Sequence, residues 1–289
     1  MNLPNFIIIG CAKAGTTSLY HYLKEHPDVF MPELKELRYF AYDKSNPEHI
    51  KKPDRVYPIR SMDAYKHQFS KVKNETAIGE ASPRYINSAF AAHKIHRIIP
   101  HAKLILSIRN PVDKLYSAYN MEVRDGRASG DIEKELFDSQ SLLLHNALIY
   151  DKLKLYLSLF DASQIKIILF DDLIRDATKE AQSLYRFLNV DSAFTPNTQV
   201  KHNLGGVPKS GFMAFAHNVY RNNKLVNKMY KALMPDKLRG KLYAARRGNI
   251  EKYASMPDSL KERLSHYYRT DVLKTQELIQ QDLSPWLSN

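Results

Sequence analysis

One cysteine, Cys11, serves the whole chain of 289 residues. An intrachain disulfide is therefore excluded, and with it a secreted scaffold built on bridges. The same scarcity argues against a zinc site. The histidines show no H-x-x-x-H spacing with a supporting acid on one helix, so no metal is expected. His93 and His96 flank a helical run and read as surface residues. There is no G-x-S-x-G elbow of the hydrolase kind. No apolar run reaches the roughly 18 to 20 residues that span a bilayer. Met1 to Pro4 lead straight into an apolar run, without a basic leader region. The expectation is a soluble, cytoplasmic protein. Internal repeats and low-complexity linkers are absent too.

Acidic side chains are also in short supply: 31 against 43 basic ones, a formal net charge of +12. Such a balance suits anionic small molecules, anionic glycans, nucleic acid or an acidic membrane surface, and says little about fold. Nine of the basic residues crowd into residues 221–247, interleaved with Tyr230 and Tyr243 and with one acid, Asp236. A solvated helix face is the ordinary explanation of that stretch. No nucleic-acid-binding signature accompanies it, and nucleic acid is not an expected partner.

The apolar pattern alternates between short β-branched runs and segments of helical period. Strands are expected at 6–10, 75–80, 102–108 and 165–170, and helices at 16–26, 88–99, 112–124, 146–160, 178–188 and 259–283. This alternation predicts an α/β fold: a P-loop-like, mainly parallel central sheet flanked by helices, with a helical C-terminal extension. Residues 1–289 are read as a single domain, with a core to about 195 and an extension over 196–289. Ligands of such sheets bind beyond the carboxyl ends of the strands. Gly10 to Thr17, Glu80 and Arg109 each lie just past such an end.

The run "IIIGCAKAGTTSLY", residues 7–20, starts like a phosphate-binding loop. Backbone N–H groups entering a helix, Thr16, Thr17 and Lys13 together suit a phosphate- or sulfate-like anion. A strand–turn–helix with threonine caps is the plain alternative. The NTP-binding pattern, however, wants lysine where Thr16 stands. It also wants a metal-holding aspartate at another strand end, where this chain has Arg109. Both departures speak against a kinase or other P-loop NTPase and for a nucleotide bearing anions at two places. Asp171 and Asp172 follow the strand at 165–170 and read as a strand-to-helix turn.

Three segments, "GCAKAGTTSL" (10–19), "GEASPRY" (79–85) and "SIRNPVDKLYSAY" (107–119), together resemble sulfotransferases that use 3′-phosphoadenosine 5′-phosphosulfate (PAPS). With "HPDVF" and "KELRYF" in residues 26–40, the resemblance is to the heparan-sulfate-type and bacterial branch. It implies an enzyme that moves a sulfuryl group to a hydroxyl, on a carbohydrate or glycolipid; an amine is the other acceptor it allows, and in-line transfer is expected by analogy with phosphoryl transfer. Lys13, Ala14, Gly15, Thr16, Thr17 and Ser18 match the stretch that grips the 5′-phosphosulfate, with Lys13 beside the bridging oxygen. Arg109 and Ser117 match the pair that holds the 3′-phosphate. Glu80 matches the general base, against a structural acid paired with Lys13 or Arg84. Lys209 and Ser210, in "NLGGVPKS", fall in a loop that closes over the donor, with Lys201 behind. Many relatives carry arginine at the position of Lys209, which puts a bidentate grip in doubt. Lys35 and Arg84 are candidates for lining the acceptor cleft, and equally for surface charges. The donor needs no metal in this reading, and a membrane surface becomes a partner if the acceptor is a lipid. A non-catalytic module binding anionic glycan or nucleotide is the rival outside enzymes.

Overall fold

A computed structural model describes residues 2–52, 56–125, 127–128, 131–137, 142–199, 207–208, 250–251 and 255–287. Lys201, Lys209, Ser210 and the basic stretch 221–247 lie outside the described residues. The chain divides into two compact units. One comprises Met1–Lys114, Leu148–His202 and Ser265–Asn289, the other Leu115–Ala147 and Asn203–Leu264.

The first unit is built on a five-stranded sheet. Its strands are β1 (Phe6–Gly10), β2 (Val29–Phe30), β3 (Ala77–Ala81), β4 (Lys103–Ile108) and β5 (Ile165–Leu169), in the order β2-β3-β1-β4-β5. Every pairing is parallel, with Ile7 opposite Glu80 on one side and Leu104 on the other. The expected parallel α/β sheet is thus the fold observed. Phe6, Ile7, Ile8 and Ile9 are all fully buried, as a central strand covered on both faces requires.

Helices fill the crossovers between these strands and follow the last of them. They are α1 (Thr16–Glu25), α2 (Pro47–Lys51), α3 (Met62–His67), α4 (Ala89–Ile98) and α5 (Pro111–Arg124), then α6 (Ile132–Phe137), α7 (Leu143–Ala147), α8 (Tyr150–Leu159), α9 (Phe170–Arg175), α10 (Ala177–Leu188) and α11 (Asp258–Ile279). Phe6, Ile8, Ile105 and Ile168 meet Leu19 and Leu23 of α1 and Leu184 and Leu188 of α10 in one buried cluster. Burying each such side chain contributes about 1.5–3 kcal/mol. Helices α4 and α8 pack against each other.

Three sequence expectations needed correction. Strand β2 and helices α2 and α3 carry no long apolar period and were not expected. The helix expected over 146–160 is two helices, broken at Leu148 and Ile149. Asp271 accepts the N–H groups of Ile149 (3.0 Å) and Tyr150 (3.0 Å), so a carboxylate far along the chain caps α8. The last helix ends at Ile279, and a 3-10 turn at Ser284–Trp286 follows.

In the second unit, α6 and the first turns of α11 are joined by Arg263 and Glu133 at 3.3 Å. Val207–Pro208 pairs antiparallel with Ile250–Glu251.

Candidate active site

The loop between β1 and α1 turns on two left-handed residues, Lys13 (φ 71°) and Gly15 (φ 78°). Gly15 is the N-cap of α1 and offers no side chain to cap it. A Cβ there would lie 2.6 Å from Leu173 and 3.1 Å from the Phe170 ring, so glycine is demanded by space as well as by φ. The loop is tied to β4: Ser107 Oγ donates to the Ala14 carbonyl (2.6 Å), and Arg109 donates to the Lys13 carbonyl (3.2 Å). Its first-turn amides stand at a helix N-terminus without a side-chain cap, the arrangement that accepts an anion. Cys11 is buried and free.

Arg109 stands at the end of β4. Its guanidinium lies over the Phe170 ring, 4.6 Å from the centroid, and 3.8 Å from Asp113. Burial depresses its pKa, partly opposed by Asp113 and Asp171, yet a guanidinium stays charged. Asp171 in turn accepts the indole N–H of Trp286 at 2.7 Å, and Asn110 donates to the Trp286 carbonyl at 3.4 Å. Asp171 and Asp172 thus serve the strand-to-helix turn, Asp172 pairing with Arg175. Ser117 is half-buried on α5, in the part belonging to the second unit.

Glu80, the expected base, is fully buried. Its Oε1 accepts from Tyr65 Oη (3.0 Å) and Tyr85 Oη (2.9 Å), and its Oε2 from Ser82 Oγ (2.7 Å). Burial pushes its carboxyl up to about 7; the three hydroxyls pull the other way, and Glu36 adds to the rise. Neither alternative partner, Lys13 or Arg84, is among these three.

Glu36, which sequence reasoning passed over, lines a cavity. This cavity, of about 290 Å³, is lined by Leu34, Lys35, Glu36, Arg38 and Pro58. The Glu36 side chain is 32% exposed, against 22% for Lys35. Lys35 Nζ donates to Thr17 Oγ1 at 3.1 Å and lies 3.8 Å from Glu36 Oε1. One ammonium therefore joins the anion-type loop to this carboxylate. Burial raises the Glu36 pKa, but Arg38, Lys35 and Arg84 outweigh it and hold the carboxyl below its ordinary value. Burial lowers the Lys35 pKa, with Glu36 opposing. Lys35 and Arg84, both cleft candidates, are thereby placed around one acid. The signal was present in "KELRYF", where an acid stands between two cations, but charge alone does not say which acid faces a cavity.

A helix-flanked parallel sheet, with an uncapped glycine turn after β1 and cations beyond the next strand ends, defines an α/β protein with an anion-type loop. The chain belongs to the sulfotransferase family of enzymes, whose family model matches residues 4–196. It is 36% identical over 125 residues to the membrane-associated sulfotransferase kil1 of Dictyostelium discoideum, covering 42% of this chain and 24% of that protein. It is 24% identical over 293 residues to the bifunctional heparan sulfate N-deacetylase/N-sulfotransferase 1 of Caenorhabditis briggsae, covering 93% of this chain and 29% of that protein. The chain thus spans under a third of the length of these two relatives. The crystal structure of a sulfotransferase from Alicyclobacillus acidocaldarius superposes over 100% of both chains, with a TM-score of 0.73 and 29% identity. Among the described residues, no group of three or more His, Cys, Asp or Glu side chains is placed to hold a metal. No described helix is long and apolar enough to cross a membrane.

Proposed function

We propose that this protein transfers a sulfuryl group from PAPS to a hydroxyl of a carbohydrate, with Glu36 as the general base. The observation that carries the reading is the Lys35 ammonium, which links Thr17 of the loop to Glu36 at the cavity. The donor supplies the electrophilic sulfur and a bisphosphate leaving group. Residues 13–18 offer it amides and hydroxyls at the start of α1, and Arg109 offers a cation to its 3′-phosphate. Glu36 takes the proton of the acceptor hydroxyl as that oxygen bonds to sulfur. Lys13 steadies the negative charge that grows on the departing phosphate oxygen as its bond to sulfur breaks. A carbohydrate acceptor is supported by the relative that acts on heparan sulfate.

Glu80 as the base has one observation in its favour, a carboxyl pushed up to about 7. A base must first reach the proton it removes, and geometry precedes pKa in that judgement. Glu80 is fully buried, with three hydroxyls already donating to it. Glu36 is ionised at neutral pH and faces the cavity, so we assign the proton to it.

The test is transfer of labelled sulfate from PAPS to glycan acceptors. Glu36→Gln is expected to lose about 10²–10⁴-fold in kcat while binding adenosine 3′,5′-bisphosphate as the wild type does. Wild-type turnover in that variant would remove Glu36 from the role. Bisphosphate binding without transfer to any hydroxyl would favour a binding module, and Mg²⁺-dependent ATP turnover would favour a kinase.

A further inference from the structure

The three hydroxyls on Glu80 lead onward to one segment. Ser82 Oγ donates to Glu80 and accepts the N–H of Arg38 at 3.0 Å. Tyr85 Oη donates to Glu80 and accepts the N–H of Phe40 at 3.3 Å. The N–H of Glu36 is bonded to the carbonyl of Ala81 at 3.0 Å, one residue beyond Glu80. Alternate amides of residues 36, 38 and 40 are thus fastened to the end of β3. Tyr65, the third hydroxyl donor, stacks its ring on Tyr39 at 4.7 Å and 23°. The segment needs this fastening, because Glu36 (φ 62°) and Arg38 (φ 54°) are both left-handed without being glycine. Such residues persist only where their surroundings over-determine them.

The direction of these bonds depends on the carboxylate. An ionised carboxylate only accepts, so each hydroxyl points its hydrogen inward and its lone pairs outward, toward an amide N–H. An amide or a protonated carboxyl at position 80 presents a donor instead. One hydroxyl must then turn, and its hydrogen meets the N–H that it had been accepting.

We propose that Glu80 is a positioning residue for the transfer reaction: through the hydroxyls of Ser82 and Tyr85 it holds the amides of Arg38 and Phe40, and so fixes Glu36 at the cavity. The proposal rests on the reading of Glu36 as the base.

The experiment compares Glu80→Gln, Ser82→Ala, Tyr85→Phe and the Glu80→Gln/Tyr85→Phe double variant in the full chain. Tyr85→Phe removes one oxygen and keeps the ring, so it remains informative if Glu80→Gln does not fold. Amide hydrogen exchange across residues 36–40 should speed up roughly tenfold or more in each single variant, with protection in β1 and β4 unchanged. The kcat should fall at least several-fold in each while the KM for PAPS stays put, and the double variant should lose little beyond Glu80→Gln alone. Full protection at 36–40, or losses that multiply in the double variant, would overturn the coupling. Wild-type kcat in Ser82→Ala and Tyr85→Phe beside an inactive Glu80→Gln would return the chemistry to Glu80 itself. Wild-type turnover in Glu36→Gln would remove the base assignment alone, since the exchange rates judge the fastening without reference to activity.

Discussion

At the scale of single residues, two carboxylates near the end of β3 divide access and burial between them. Glu36 meets the cavity with three cations around it, whereas the buried Glu80 accepts from three hydroxyls. Burial raises the folded-state pKa of Glu80 from 4.5 to about 7. Burial thus outweighs the three hydroxyl donors, so that ionising Glu80 to the form that holds the Arg38 and Phe40 amides costs stability. The contribution of the protonated acid to stability is complete below about pH 4.5 and is lost as pH rises through about 7. The size is on the order of 3 kcal/mol, at 1.36 kcal/mol for each pKa unit. Urea unfolding followed from pH 5 to pH 8 should show the wild type losing stability relative to Glu80→Gln across that window. A pH-independent gap between the two would mean that Glu80 does not titrate in the folded protein.

At the scale of elements, a strand's neighbours set what its residues are allowed to be. A Cβ on Gly79 would stand 2.1 to 2.4 Å from the ring atoms of Phe6, which is fully buried on the adjacent β1. Neither β3 nor the ring has room to retreat inside a sheet covered on both faces. Gly79→Ala is expected to destabilise the protein by about 2–3 kcal/mol, the upper part of the overpacking range, read as a lower urea midpoint. Only a loss below about 0.5 kcal/mol, the surface-substitution range, would show that the contact yields. Elements of this kind were legible from sequence: "FIIIG" and "AKLILSI" are β-branched runs closed by a glycine and an Arg-Asn-Pro turn, and both became strands. Strand β2 has only two residues and owes its place to pairing with Ala77 and Ile78, which no local pattern announces. The break between α7 and α8 depends on Asp271, which lies more than a hundred residues away. The candidate site divides the same way. Loop and strand-end residues such as Thr17 and Arg109 were found by position in the pattern. The proposal of Glu36 rather than Glu80 as the base rests on exposure, a property of the folded chain.

At the scale of the whole molecule, the last described residues return to the sheet of the first unit. Trp286 bonds to Asp171 after β5 and to Asn110 after β4, so it clasps the two strand ends on either side of Arg109 and Phe170. Trp286 is also the sole tryptophan of the chain and is buried. Its emission therefore reports on one place, with no second indole to dilute the signal. Adenosine 3′,5′-bisphosphate is expected to change the intensity or wavelength of that emission as it engages Arg109, giving a binding isotherm without a label. In Arg109→Ala the isotherm should move to higher ligand concentration by far more than it does for a nucleotide lacking the 3′-phosphate. Equal shifts for the two ligands would take Arg109 away from that phosphate. A side chain that serves the fold as a clasp thus doubles as an optical probe of the surroundings of Arg109.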